Sequence, residues 1–457
     1  MRTVLSTREY ERIITDLSPD EVRAVAAAVV KAAGELMAEH GLERAAFLFD
    51  RPMRSIALLS AQMLTEAGKE TSAALVQRDG LPDLNGSLIV DLLFASSQGE
   101  TDLSKRETWI KAMICSGCPV LSVGIPAGVE PDTGRVENFA VRAKITVAPG
   151  SYLPGLFLHD GLDHCGEIHP VGRVTETVEG LARFEETDAV RLLPPRKRTA
   201  HKGDSGRALL CVGSPKYVGA ALLSARACMA AGCGILFVAC PDVVRSALTG
   251  LPEAIGIPVG PEWNTESCIP AIQALADKQA VGIGCGMGDG DISLLIERSL
   301  ESGIPLVLDA DGLNGLSRHP ELFSLLHEKV VLTPHPGEMS RLTGLSHHEV
   351  LNDPVALAEN CARRWGCTVL LKGATTVVSD GQRTRLVAEG NAGLGKGGSG
   401  DVLTGIITGL LSQGIEPFAA ACLGSWLLGV SAAKAFALLK ERMLRATNVI
   451  EALEDRN

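Results

Sequence analysis

Aromatic side chains are scarce: Phe, Trp and Tyr together make up 4 % of the 457 residues. The cores must therefore rest on Ala, Val, Leu, Ile and Gly. Basic charge is also short, with 43 Lys and Arg against 54 Asp and Glu and a net charge of −11. That balance argues against a nucleic-acid or anionic-membrane surface. No uninterrupted apolar run of about 18 residues occurs, so no membrane span is expected. Residues 1–20 mix charges with short apolar runs and lack a secretory h-region, so a cytoplasmic location is expected. The 12 cysteines are scattered through apolar segments, as at Cys211 and Cys240, and read as small core residues of a reducing compartment. Cys115 and Cys118 have redox-motif spacing, but they lie where a helix runs into a strand. That is the wrong helix end for stabilising a thiolate.

What is present points to an α/β protein. Hydrophobic residues reach 46 % and glycines number 49, which suits helices lying close on sheets. The length calls for two or three domains. Helical spacing at 19–39 and 56–67 alternates with strand-like runs at 45–49, 72–76, 87–93, 120–123 and 144–147. Leu193-Pro-Pro-Arg-Lys-Arg198 resists helix and sheet alike and marks a linker, with the boundary between 185 and 202. The pattern then restarts, with strands at 208–213, 235–239, 280–284, 305–309, 330–333 and 368–372. The expectation is two doubly wound domains, residues 1–190 and 191–457.

Ligands of such sheets bind at the carboxyl ends of the strands. Chemistry-bearing groups gather there: Gly213-Ser214, 284–288, Asp309-Ala-Asp311, Thr333-Pro-His-Pro-Gly-Glu338 and Lys372-Gly373. The most informative segment is Gly390-Asn-Ala-Gly-Leu-Gly-Lys-Gly-Gly-Ser-Gly-Asp401, which runs into an apolar helix. Glycines turn backbone N–H groups inward and the helix N-terminus adds partial positive charge, which makes an anion hole suited to phosphate. Gly390 to Lys396 nearly matches a Walker A loop, but Gly397 stands where a magnesium-binding hydroxyl is required. Asp401 instead places a carboxylate at the helix start, as a base for an acceptor hydroxyl or as a plain helix cap.

Three separated motifs then carry a family resemblance: Gly397-Gly-Ser-Gly-Asp-Val-Leu-Thr-Gly405, Leu332-Thr-Pro-His-Pro-Gly-Glu338 and Lys202-Gly-Asp-Ser-Gly206. Residues 195–457 resemble the NAD(P)H-hydrate dehydratases of the ribokinase-like superfamily. The resemblance implies phosphoryl transfer from ADP or ATP, with Mg2+, to the ring hydroxyl of an NAD(P)H hydrate, followed by elimination of phosphate. It makes Asp401 the base. It places nucleotide contacts on Lys372, Gly373, Ala374, Thr375 and Thr376, and on Asn391, Gly393, Gly395, Lys396, Gly397, Gly398, Ser399 and Gly400. Hydrate contacts fall on Asp401, His335, Ala220 and Gly286. Glu338 resembles a position that organises magnesium in sugar kinases of the superfamily.

Residues 10–185 resemble the Rossmann-like NAD(P)H-hydrate epimerase domain often fused to such a dehydratase. Ser87-Leu-Ile-Val-Asp-Leu-Leu-Phe94 and residues 123–134 carry the match. The family's glycine-rich Asn-Asn-Gly-Gly-Asp-Gly loop is here Asp50-Arg-Pro-Met-Arg-Ser55, its catalytic aspartate is Gly124, and its potassium-binding serine is Ala127. Asp91 remains at the potassium position. Loss of epimerase activity is expected, and a homo-oligomer is the implied assembly. Two other readings share the Asp401 loop: a small-molecule kinase of the same superfamily, and a nucleotide-binding sensor without turnover.

Overall fold

The computed structural model describes residues 2–94, 103–172, 179–193, 199, 205–439 and 443–455. The chain divides into two compact units, Met1–Arg183 and Phe184–Asn457. The helix Glu186–Leu192 precedes the proline pair, and Ala189 on it is buried in the core of the second unit. Residues 194–198 of the basic linker and Lys202 to Asp204 of the third motif lie outside the described residues.

The first unit holds six parallel strands: β1 (Arg44–Phe49), β2 (Glu70–Leu75), β3 (Ser87–Leu92), β4 (Val120–Val123), β5 (Ile145–Pro149) and β6 (Glu167–Val171). Their order is β2-β1-β3-β4-β5-β6. Every residue of β3, β4 and β5 is buried, as continuous apolar runs covered on both faces should be. Helix α1 (Pro19–His40) starts on a capping box in which Ser18 and Glu21 satisfy each other's backbone N–H groups. Helices α2 (Arg54–Glu66) and α3 (Leu103–Ser116) follow β1 and β3. Cys115 and Cys118 lie at the α3 C-terminus, before β4, as the sequence implies.

In the second unit the strands are β7 (Arg207–Cys211), β8 (Ile235–Cys240), β9 (Ala254–Pro258), β10 (Ala280–Ile283), β11 (Leu306–Leu308), β12 (Val330–Leu332), β13 (Thr368–Leu371), β14 (Thr376–Ser379) and β15 (Arg383–Val387). Their order is β15-β14-β13-β12-β11-β10-β7-β8-β9. The chain winds outward from β7 through β8 to β9, returns to β10 on the other side of β7, and winds the opposite way. This reversal beside β7 is the topological switch point where such sheets bind ligands. The hairpin of β14 and β15 is antiparallel, an addition to the doubly wound pattern.

Four helices position the site: α4 (Val218–Ala230), α5 (Ala310–Arg318), α6 (Pro336–Thr343) and α7 (Ser399–Ser412). Helix α7 lies against α4 at glycine contacts. A Cβ on Gly405 would stand 2.2 Å from the Ser224 carbonyl oxygen, and one on Gly409 2.7 Å from that of Cys228. A final long helix, α8 (Pro417–Leu439), is long and apolar enough to cross a membrane by length and composition. Its Ala420, Leu423, Trp426 and Ala432 instead pack in a hydrophobic core of the unit, with α7 and β11 to β14.

Candidate active site

The glycine-rich segment ends at Gly398, whose φ of +98° makes it the N-cap of α7. A left-handed backbone of this kind is open to glycine at little cost. Asp401 is therefore the third residue of the helix and the acid of its first turn. It stands beside the Cys285 thiol at the end of β10. Burial raises its pKa to about 6, the nearby Asp309 adds to the rise, and Lys372 partly opposes it. A carboxylate held near this value is a serviceable proton acceptor close to neutrality.

Behind Asp401 lies a buried ionic cluster. The Lys372 ammonium donates to Asp309 Oδ1 at 2.7 Å and stands 3.7 Å from Glu338 Oε2. The Thr404 hydroxyl, one turn along α7 from Asp401, donates to Asp309 Oδ2 at 2.8 Å. A Cβ on Gly400 would come within 3.4 Å of Asp309 Oδ2 and 3.5 Å of Lys372 Nζ, so the first turn of α7 sits directly on this pair. Burial works against the charge on Lys372, but Asp309 and Glu338 outweigh it and raise its pKa. The ammonium stays charged.

His335 is itself the N-cap of α6. Its Nδ1 accepts the N–H groups of Gly337 and Glu338, at 3.0 and 3.4 Å. Nε2 therefore carries the proton and faces Glu338 Oε1 at 3.3 Å. Burial and the Lys372 charge lower its pKa, so the ring is neutral at pH 7. Glu338 Oε2 accepts the His335 N–H at 2.8 Å, which completes a capping box. Both of its oxygens are thus engaged, and burial raises its pKa. Among the described residues no group of three His, Cys, Asp or Glu side chains is placed to hold a metal ion. The residues at Glu338 do not fit a magnesium site built from protein alone.

Ala220 and Gly286 meet: a Cβ on Gly286 (φ +62°) would stand 2.7 Å from Ala220 Cβ. Asn391 Oδ1 accepts the Gly393 N–H at 2.9 Å, which shapes the start of the glycine segment. The Lys396 ammonium donates to the Leu444 carbonyl at 2.9 Å. Thr375 is buried, and Thr376 opens β14. Asp311, one of the paired acids after β11, accepts the Gly288 N–H at 2.7 Å and holds the 284–288 turn.

In the first unit, a Cβ on Gly124 (φ +89°) would stand 3.3 Å from Met53 Cε, 3.5 Å from Phe94 Cδ2 and 3.6 Å from the Tyr10 hydroxyl. The space for an acid at this position is lined by apolar and phenolic groups. Asp91 is fully buried and accepts from the Leu93 and Ala127 N–H groups and the Ser122 hydroxyl. Its burial raises its pKa. Arg106, also buried, donates to the Leu93 and Phe94 carbonyls and stands 3.8 Å from Asp50 Oδ2. With its own hydrogen bonds made inside the protein and a guanidinium nearby, Asp91 does not fit a cation site.

Comparison with known proteins follows the same division. A family model described as NAD(P)H-hydrate dehydratase matches residues 208–454, and one described as YjeF-related protein N-terminus matches 29–155. Two curated relatives bear the name bifunctional NAD(P)H-hydrate repair enzyme. That of Moorella thermoacetica is 32 % identical over 92 % of this chain and 84 % of its own length. That of Escherichia coli is 30 % identical over 89 % and 77 %. A solved structure of the ADP/ATP-dependent NAD(P)H-hydrate dehydratase of Bacillus subtilis, co-crystallised with ATP and Mg2+, covers 60 % of this chain and 96 % of its own, at 29 % identity and a TM-score of 0.53. A ribokinase-like superfamily protein of Enterococcus faecalis, 23 % identical with a TM-score of 0.54, covers 62 % of this chain and 96 % of its own and shares the fold. The chain belongs to the NAD(P)H-hydrate repair family, with a YjeF-related N-terminal domain joined to a C-terminal NAD(P)H-hydrate dehydratase domain of ribokinase-like fold.

Proposed function

We propose that the C-terminal unit restores NADH or NADPH from the S form of its hydrate, with ADP or ATP as phosphoryl donor. Asp401 accepts the proton of the ring hydroxyl as its oxygen attacks the terminal phosphorus of the nucleotide. The N–H groups at the start of α7 stabilise the charge on the moving phosphoryl group. The ring C–O bond then breaks, phosphate leaves with the electron pair, and loss of a proton from the adjacent ring carbon regenerates the dihydronicotinamide. Bound to the nucleotide's phosphates, Mg2+ would supply neutralisation of their charge. The nucleotide segments 372–376 and 391–400, and the hydrate contacts at Ala220, Gly286 and His335, remain part of this proposal.

The observation that carries it is Asp401 itself: a half-buried carboxylate raised to about 6, in the first turn of the helix that follows the glycine-rich loop. The N-terminal unit, with Gly124 in place of a base, is proposed to lack epimerase activity. The test is release of one phosphate per reduced nicotinamide regenerated from the S hydrate. Asp401→Asn should lower kcat by about 100-fold or more. Phosphorylation of another small hydroxyl compound, with the hydrate untouched, would instead make the unit a kinase.

A further inference from the structure

Among the described residues, Asp309 is the acid of the cluster that touches both halves of the site. Its Oδ2 holds Thr404, on the helix that carries Asp401. Its Oδ1 holds Lys372, the first residue of the 372–376 segment. The backbone is deformed to place it there. Ala310, the next residue, has φ +45°, a left-handed conformation that an L-residue rarely adopts. The turn presses so closely on the end of β10 that a Cβ on Gly284 would stand 1.8 Å from the Asp309 carbonyl oxygen. Strain and close packing converge on one 2 % exposed carboxylate whose two oxygens are both occupied by side chains from distant segments.

We propose that Asp309 is a positioning residue for the dehydration, a two-sided clasp that fixes the helix of the base relative to the nucleotide segment. The inference rests on the dehydratase reading. One consequence is geometric: without the clasp, α7 is free to shift by fractions of an ångström relative to Lys372, and in-line transfer tolerates little misplacement. The other is electrostatic. The groups facing Asp401 are Asp309 and Asp311 from the β11–α5 turn, Lys372 from the end of β13, and the Cys285 thiol after β10. Removing the Asp309 charge leaves Lys372 less neutralised and takes away a repelling acid. Both changes lower the pH at which Asp401 loses its proton.

The experiment follows S-hydrate turnover with ADP or ATP and Mg2+ from pH 5 to 8 for the full-length wild type, Asp309→Asn, Thr404→Val and Thr404→Ser. Asp309→Asn should lower kcat by tenfold or more and move its acid limb downward by about half a unit to one unit. Thr404→Val should lower kcat several-fold, with recovery in Thr404→Ser, which keeps the hydroxyl. A folded Asp309→Asn with the wild-type limb and kcat overturns the clasp. If that variant does not fold, a Thr404→Val as active as wild type overturns it equally. Wild type that fails to convert the hydrate defeats the underlying dehydratase reading, and the clasp falls with it; active wild type with indifferent variants defeats the clasp alone.

Discussion

A carboxylate drawn partly out of water beside another acid holds its proton more tightly than a solvated one, and Asp401 is such a group. Its folded-state pKa of about 6 lies above the ordinary 3.8. The folded protein therefore gains stability by binding this proton; the gain is complete below about pH 4 and lost as pH rises through 6. At pH 7 the ionised side chain costs about 3 kcal/mol. Asp401→Asn should thus melt a few degrees above wild type at pH 7 to 8, with the difference closing toward pH 4, even as activity is lost. A lower melting temperature at pH 7 would mean that the carboxylate makes stabilising contacts instead. Gly124 presents the opposite case. An aspartate there would bury a charge against Met53, Phe94 and Tyr10 on a left-handed backbone. Gly124→Asp should destabilise the protein by about 2–4 kcal/mol in denaturant unfolding and restore no epimerase activity.

At the scale of elements, the site depends on how closely α7 approaches its neighbours. Gly405 and Gly409 face α4, and Gly282 of β10 faces Thr408, where a Cβ would come within 2.5 Å of the hydroxyl. Gly405→Ala should cost about 1–3 kcal/mol of stability, measured by chemical unfolding, and should lower kcat because Asp401 moves with the helix. The strand–helix alternation and the strand-end clusters are legible in the sequence because apolar runs buried on both faces contrast with the polar turns that follow them. The β14–β15 hairpin is not: two short strands give little alternation, and residues 372–376 already read as a ligand segment. Asp380-Gly381 was the available turn signal, with Asp380 Oδ1 accepting the Gln382 and Arg383 N–H groups and Gly381 at φ +90°. The His335 cap is hidden for another reason. Imidazole is an uncommon cap, so the residue type does not announce one. His335→Ala should cost α6 about 1 kcal/mol, which amide exchange along the helix would detect.

For the whole molecule, the sequence shows two doubly wound halves with unequal chemistry, because a glycine loop and an aspartate are local features. It does not show the Lys372–Asp309–Thr404 cluster. Asp309 lies 63 residues from Lys372 and 95 from Thr404, and only the winding of the sheet brings them together. Nor does it show that the space beside Gly124 is lined by Met53, Phe94 and Tyr10, since Tyr10 comes from far upstream. One half thus keeps Asp401, half-buried in the first turn after a glycine-rich loop, while the other has Gly124 beside apolar and phenolic groups and holds Asp91 in internal hydrogen bonds. The most direct measurement supplies the full-length protein with separately prepared S and R hydrates of NADH, each with ADP or ATP and Mg2+, and follows the return of reduced-nicotinamide absorbance. Conversion of the S form, with the R form recovering only at its spontaneous epimerisation rate, is the predicted result. Enzymatic conversion of the R form at the rate of the S form, or no conversion of either, would contradict it.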